Sequence, residues 1–309
     1  MSDPPRRISP ATAFFALLAL ALGIALYIKT RPPEPQPEKP RPVPHAARRP
    51  RPLPALPPPA PTKAPELYPP VAQAQIAIVI DDLGNDREAV ERIARWPFRV
   101  AGAVLPGLPG SAESARRLAA SGKEVLLHLP MEPDGYPRIR PGPGVVLRSD
   151  SDEKIAQTVA DDLDSVPGAV GVNNHMGSAA TADPRVMRAV VRVLAARRLF
   201  LLDSRTTEAT VARRIANEES LPAVSRQVFL DAVESEEAIE RSFRDLLRKA
   251  KKDGTALAIG HPHAATLALL ERELPSLRSE GVELVTVSAL ASQSPKSKVQ
   301  NPKSARLER

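Results

Sequence analysis

The chain has 309 residues, 42% of them apolar, 3% aromatic and none cysteine, so disulfides, thiolate metal sites and a cysteine nucleophile are excluded. Its formal charge of +7 belongs to the two ends, because residues 75–292 carry 28 Lys and Arg against 31 Asp and Glu. Without a basic face or aromatic platforms on that central part, no nucleic-acid partner is expected.

After residues 1–10, read as a cytoplasmic N-terminus, an apolar run covers residues 11–28 and ends at Lys29 and Arg31. It is too long for most signal-peptide cores and just long enough to span a bilayer, and no small-x-small cleavage site follows. Arg6 and Arg7 ahead of it favour a cytoplasmic N-terminus. The expectation is an uncleaved transmembrane signal anchor, single-pass, in a bacterial inner membrane, with the rest of the chain in the periplasm. Residues 29–74 are read as a Pro-rich, disordered stalk: seventeen prolines and no glycine fall between Pro32 and Pro70. Such a stretch forms neither helix nor central strand and acts as a polyproline-like spacer toward a cell-wall polymer. Residues 293–309 are polar and basic without apolar periodicity and are expected to be disordered.

Residues 75–292 alternate between strand and helix patterns. Ile76 to Ile80 is a continuous apolar run, mostly β-branched, as in a strand buried on both faces, and it stops at Asp81 and Asp82. Gly84 permits a sharp turn, and Asn85 or Asp86 caps the helix predicted over REAVERIARW. Further strands are predicted over 98–106, 124–132, 168–178, 199–207, 225–231, 255–263 and 281–287, with helices between most of them. Gly122 stops one helix and Pro184 opens another, while a Gly- and Pro-rich loop follows Glu132. The fold class is therefore α/β: a distorted (β/α) barrel of seven or eight parallel strands, preceded by the membrane anchor and the stalk. An open doubly wound sheet is the alternative, but no Gly-rich phosphate loop follows the first strand.

Asp81, Asp82, His128, His175, Asp203, Asp231 and His261 all stand at the C-terminal ends of predicted strands, which in a parallel barrel open on one face. A single Asp or His in such a place serves equally as an Asx turn, a helix cap or a structural hydrogen-bonding residue. An acid pair together with three strand-end histidines points to chemistry instead. One carboxylate and two imidazoles with an open position make a common catalytic zinc set, suited also to iron or another divalent metal. An ion so held activates water and polarises a carbonyl.

The segments IDDLGND, LHLPMEP, GVNNHMGS, FLLDSRTT, VFLD and AIGHPH, in this order, resemble the divergent polysaccharide deacetylases, a branch of the NodB-like carbohydrate esterases that includes chitin and peptidoglycan deacetylases. The resemblance covers about Gln75 to Ala289. It implies a distorted barrel and metal-dependent N-deacetylation of an amino-sugar polymer, with Asp81 as general base and Asp82 as metal ligand. Better-known members draw two histidine ligands from one His-x-x-x-His turn, which this chain lacks; His128 and His175, from separate strands, take that place, and the divalent metal expected there is Zn²⁺. His261 resembles the acid that protonates the leaving amine, with His263 as its local rival. Asp203, Arg205, Asn174, Glu132 and Asp231 form the substrate-binding or orienting set. Within it, Asp203 and Arg205 orient the acid, bind sugar or pair with one another, and Glu132 is an alternative ligand. Asn173 and Asn174 are assigned to turn geometry or to sugar hydroxyls. A glycan, the membrane and cell-wall remodelling proteins are the expected partners. A barrel that binds glycan or a partner without catalysis is the alternative function.

Overall fold

The structure is a computed structural model and describes residues 74–293. The expected anchor, the stalk before Ala74 and the tail after Gln293 lie outside the described residues. Among the described residues, no helix is long and apolar enough to cross a membrane.

Among the described residues, nine parallel strands carry the fold: β1 (Ala74–Leu83), β2 (Ala101–Val104), β3 (Val125–Met131), β4 (Ala169–Met176), β5 (Phe200–Asp203), β6 (Ala223–Ser225), β7 (Val228–Phe229), β8 (Thr255–Gly260) and β9 (Val282–Leu284). The helices between them are α1 (Arg87–Ala94), α2 (Ser111–Ala120), α3 (Asp152–Ser165), α4 (Pro184–Ala196), α5 (Ala212–Glu218), α6 (Glu236–Asp253) and α7 (Ala264–Glu273), with α8 (Val287–Gln293) at the end. Local chemistry sets several starts. The Asp86 side chain accepts from Ala89 N at the head of α1, Ser151 caps α3, and Asp183 caps α4 just before Pro184.

The sheet order is β6-β5-β4-β3-β2-β1-β8-β7, with β9 beside the start of β1. Its two edge strands are consecutive in sequence. Arg226 N donates to Asp203 O on β5, and Gln227 N donates to Leu257 O on β8. One kinked segment, 223–229, therefore touches both edges and curls the sheet into a distorted barrel. The sequence-predicted strand over 225–231 is this segment, broken in two because its halves pair with different neighbours.

Strand parity sorts the side chains into two layers. Ile76, Ile78 and Ile80 face the helices, while Ala77 and Val79 face the barrel interior with Leu126, Leu202, Leu257 and Ile259. The helix α8, which sequence periodicity did not predict, adds Val287, Leu290 and Ala291 to that inner cluster. Its first turn is capped by Glu124, whose Oε2 accepts from Val287 N at 2.7 Å. The barrel is thus filled by apolar side chains, and the next inward positions toward the C-terminal ends of β1, β3, β4, β5 and β8 carry the polar groups described below.

Candidate active site

Asp81 continues the inward row of Ala77 and Val79, so it points into the mouth of the barrel. In a regular strand Asp82 would point away. Here β1 carries an extra residue: Ile80 and Leu83 pair with Gly102 and Val104, leaving two residues opposite one. Asp82 takes the left-handed φ of 57° in this bulge, and both carboxylates reach the same space. Gly84, at φ 142°, completes the turn into α1.

His128 follows Leu126 on the inward row of β3, and His175 follows Asn173 on β4. Asp82 Oδ1 lies 3.1 Å from His128 Nε2 and 3.0 Å from His175 Nδ1, and the two ring nitrogens are 3.1 Å apart. Yet this buried oxygen accepts no hydrogen bond of proper geometry. Three donor atoms at the corners of such a triangle are close to the spacing of about 3.3 Å expected around a tetrahedral ion with bonds near 2.0–2.1 Å. The orphaned oxygen and the chemistry of the set fit a divalent cation, with Asp82, His128 and His175 holding it.

Asp81 is 3% exposed, and Asn173, wholly buried, donates its amide to both carboxylate oxygens at 2.9 and 3.1 Å. The Asn173 carbonyl oxygen faces His128 Nδ1 at 3.0 Å. On the other side of the mouth, His261 Nδ1 lies 3.0 Å from Asp231 Oδ1, and His261 Nε2 is 3.9 Å from Asp82 Oδ2. Asp231 Oδ2 accepts from His261 N at 2.6 Å and from Thr266 Oγ1 at 2.8 Å. Phe229 stacks on the His261 ring with centroids 5.2 Å apart. Arg226 lies over Phe229 at 4.7 Å and donates to the carbonyls of Ser204 and Arg205.

The charges follow from these contacts. Burial raises the Asp81 carboxyl above its ordinary range, against the pull of His128 and the Asn173 amide. Burial acts on Asp82 in the same sense, but the adjacent His128 and His175 imidazoles outweigh it and hold Asp82 well below the carboxylate range. His128 and His261 are both raised: desolvation opposes their charge, and the carboxylates beside them win. For His261 the leading opposing cause is the bond to Asp231.

The remaining residues of the sequence-predicted set stand elsewhere. Asp203 falls on the outward row of β5, next to inward Leu202, so it does not orient His261. Its Oδ1 accepts from Arg205 N at 2.9 Å and both oxygens take Thr210 Oγ1, which makes it a turn residue. The Arg205 guanidinium pairs with exposed Glu208 rather than with Asp203. Glu132 is bound to the backbone and side chain of Arg148 and is outside the ligand triangle. Asn174, also on the outward row, accepts from Ser204 N and donates to Met176 O, so its amide ties the β4–β5 junction. His263 sits at the rim, 3.5 Å from Glu234. It belongs to a second group of possible donors with Asp231 and His261, whose facing atoms are already bound to each other. Sequence reading missed the roles of Arg226, Phe229 and Ser204; strand parity, counted from inward Leu202, is the signal that would have found Ser204.

Fold and site together define a parallel α/β barrel with a metal-competent cluster at its C-terminal face. The chain belongs to the divergent polysaccharide deacetylase family, whose model matches residues 78–291. It is 36% identical over 219 residues to an uncharacterized protein of Haemophilus influenzae, covering 71% of this chain and 77% of that one. Over 225 residues it is 36% identical to the uncharacterized protein YibQ of Escherichia coli K12, covering 72% and 69%. Among solved structures, an uncharacterized protein of Agrobacterium tumefaciens C58 superposes with a TM-score of 0.68 at 26% identity, covering 71% of this chain and 89% of that one.

Proposed function

We propose that this chain is a metal-dependent hydrolase that removes N-acetyl groups from an amino-sugar polymer, peptidoglycan-like or chitin-like, in the cell envelope. The observation that carries the reading is the unpartnered Asp82 Oδ1 in its triangle with two imidazole nitrogens. A buried carboxylate flanks it on one side and an Asp-held imidazole on the other. A bound Zn²⁺ or similar ion would polarise the acetamide carbonyl and make water more acidic.

The protein's own groups handle the protons. As water adds to the carbonyl carbon, Asp81 takes its proton; a carboxylate raised by burial is a better base than one in water. His261 starts protonated, oriented through Nδ1 by Asp231, and gives its Nε2 proton to the sugar nitrogen as the C–N bond breaks. Acetate and a free amine leave. Phe229 covers one face of the imidazole and limits the directions in which it can act. The apolar run at 11–28 and the proline-rich stretch after it support a single-pass anchor in a bacterial inner membrane, with the barrel in the periplasm beside such glycans and the proteins that remodel them.

The purified protein, assayed for bound metal and for acetate released from N-acetylglucosamine oligomers and from peptidoglycan, tests this reading. Asp82→Ala is expected to lose metal and acetate together. Asp81→Asn is expected to keep the metal and slow turnover by about 10²–10⁴-fold. Wild-type turnover in Asp81→Asn would remove the assigned base. Bound metal with no acetate from either polymer would favour a barrel that binds glycan without cleaving it.

A further inference from the structure

We infer that Asn173 is a positioning residue that couples the ion site to the base, holding His128 in the tautomer that can ligate and aiming the Asp81 carboxylate. The inference rests on the ligand set of the proposed function.

The direction of the amide follows from its partners. An ionised carboxylate only accepts hydrogen bonds, so the NH₂ end belongs against Asp81, 2.9 and 3.1 Å from its two oxygens. The reversed amide would set a carbonyl oxygen against that carboxylate. With the NH₂ so placed, Asn173 Oδ1 faces His128 Nδ1 at 3.0 Å and can only accept, which puts the ring proton on Nδ1. A neutral imidazole has one N–H. Nε2 therefore keeps its lone pair, and Nε2 is the atom that faces Asp82 Oδ1 and His175 Nδ1.

A competitor for that proton stands close by. The negative charge of Asp82 Oδ1, 3.1 Å from Nε2, favours a proton on that atom even without a well-directed hydrogen bond, and the ring could then not bind an ion through it. The Asn173 carbonyl tips the ring the other way. The backbone makes this firm: His128 and Asn173 are register partners on neighbouring strands, and Asn173 is 0% exposed, so no loop motion or water intervenes. Ser204 Oγ, 3.3 Å from the amide nitrogen, adds a third support. An amide is the uncharged side chain that presents a donor and an acceptor at one end; an acid would set a second anion beside Asp81, and a serine is too short to reach both partners.

The test needs no turnover. In the full-length, metal-free protein with ¹⁵N-labelled histidine, read at a pH high enough for the His128 ring to be neutral, that ring is expected to show a protonated Nδ1 and a bare Nε2. Asn173→Ala is expected to move the ring toward Nε2–H and to weaken Zn²⁺ binding about 10–100-fold in competition with a chromophoric chelator. A near-UV circular dichroism spectrum reports whether the variant keeps its packing. A neutral ring with its proton on Nε2 in the wild type overturns the inference even if the variant does not fold, as does Asn173→Ala with wild-type tautomer and Zn²⁺ affinity. A wild type that binds Zn²⁺ and releases no acetate defeats the deacetylase reading and leaves this one standing. A wild type that binds no Zn²⁺ removes the ligand set and both with it.

Discussion

Asp81 and Asp82 are neighbours in sequence, and a regular strand would send them to opposite faces. The bulge brings them together at the cost of holding Asp82 in the left-handed region, about 1 kcal/mol or more for a residue other than glycine. A different buried acid lies outside the site. Asp162, on α3, has an unpartnered Oδ2 and sits against Gly144, whose missing Cβ leaves room for the carboxyl. Burial, with a smaller push from Asp161, raises it from 3.8 to about 7. Below pH 3.8 the group is protonated folded and unfolded, and its contribution is intact. As pH rises from about 4 to about 7, the unfolded chain releases the proton while the folded one keeps it, so stability falls across that window. Asp162→Asn is expected to flatten that decline and to gain about 1–3 kcal/mol at pH 8 relative to wild type, read from urea unfolding at several pH values. An unchanged pH profile would show that Asp162 is not the group responsible.

At the scale of elements, closure of the barrel depends on a change of partner within three residues. Up to Ser225 the segment pairs with β5, and from Val228 it pairs with β8. Leu257 N, buried on β8, has no strand carbonyl opposite it at this kink. The Gln227 side chain supplies one, accepting from Leu257 N at 2.6 Å while Gln227 N donates back to Leu257 O. Gln227 is itself exposed, so water can partly replace it. Gln227→Ala is expected to cost about 1 kcal/mol in chemical denaturation and to speed hydrogen exchange at Leu257. Exchange at Leu257 equal to wild type would show that the side chain is not the partner that protects it.

For the whole molecule, the site is a junction of β1, β3, β4, β7 and β8, and an ion held as proposed by Asp82, His128 and His175 would bridge β1, β3 and β4 and bind the folded chain alone. Linkage would then make the ion a stabiliser: at 100 times Kd the gain would be about 2.7 kcal/mol, or about 5–10 °C in Tm for a domain of this size. Adding Zn²⁺ to the metal-free protein is expected to raise Tm by that amount, a chelator to reverse it, and Asp82→Ala to abolish it. An equal rise in Asp82→Ala would place the effect at another site.

Much of this was legible in the chain itself. Runs such as Ile76–Ile80 report burial on both faces, because a strand covered by helices outside and packed against a core inside has no polar face to show. The strand-end acids and histidines, and the caps at Asp86 and before Pro184, follow from local rules in the same way. Which strand-end residues share a site was decided by tertiary structure. A one-residue step in parity turns Asp203 and Asn174 outward and Asn173 and Ser204 inward, and one bulge turns Asp82 inward against its parity. Closure through 223–229 and the filling of the barrel by α8 also lay beyond sequence reading, since each depends on which distant strand or cavity a short segment meets. Periodicity records how a residue is buried; its partner is chosen only when the strands curl together.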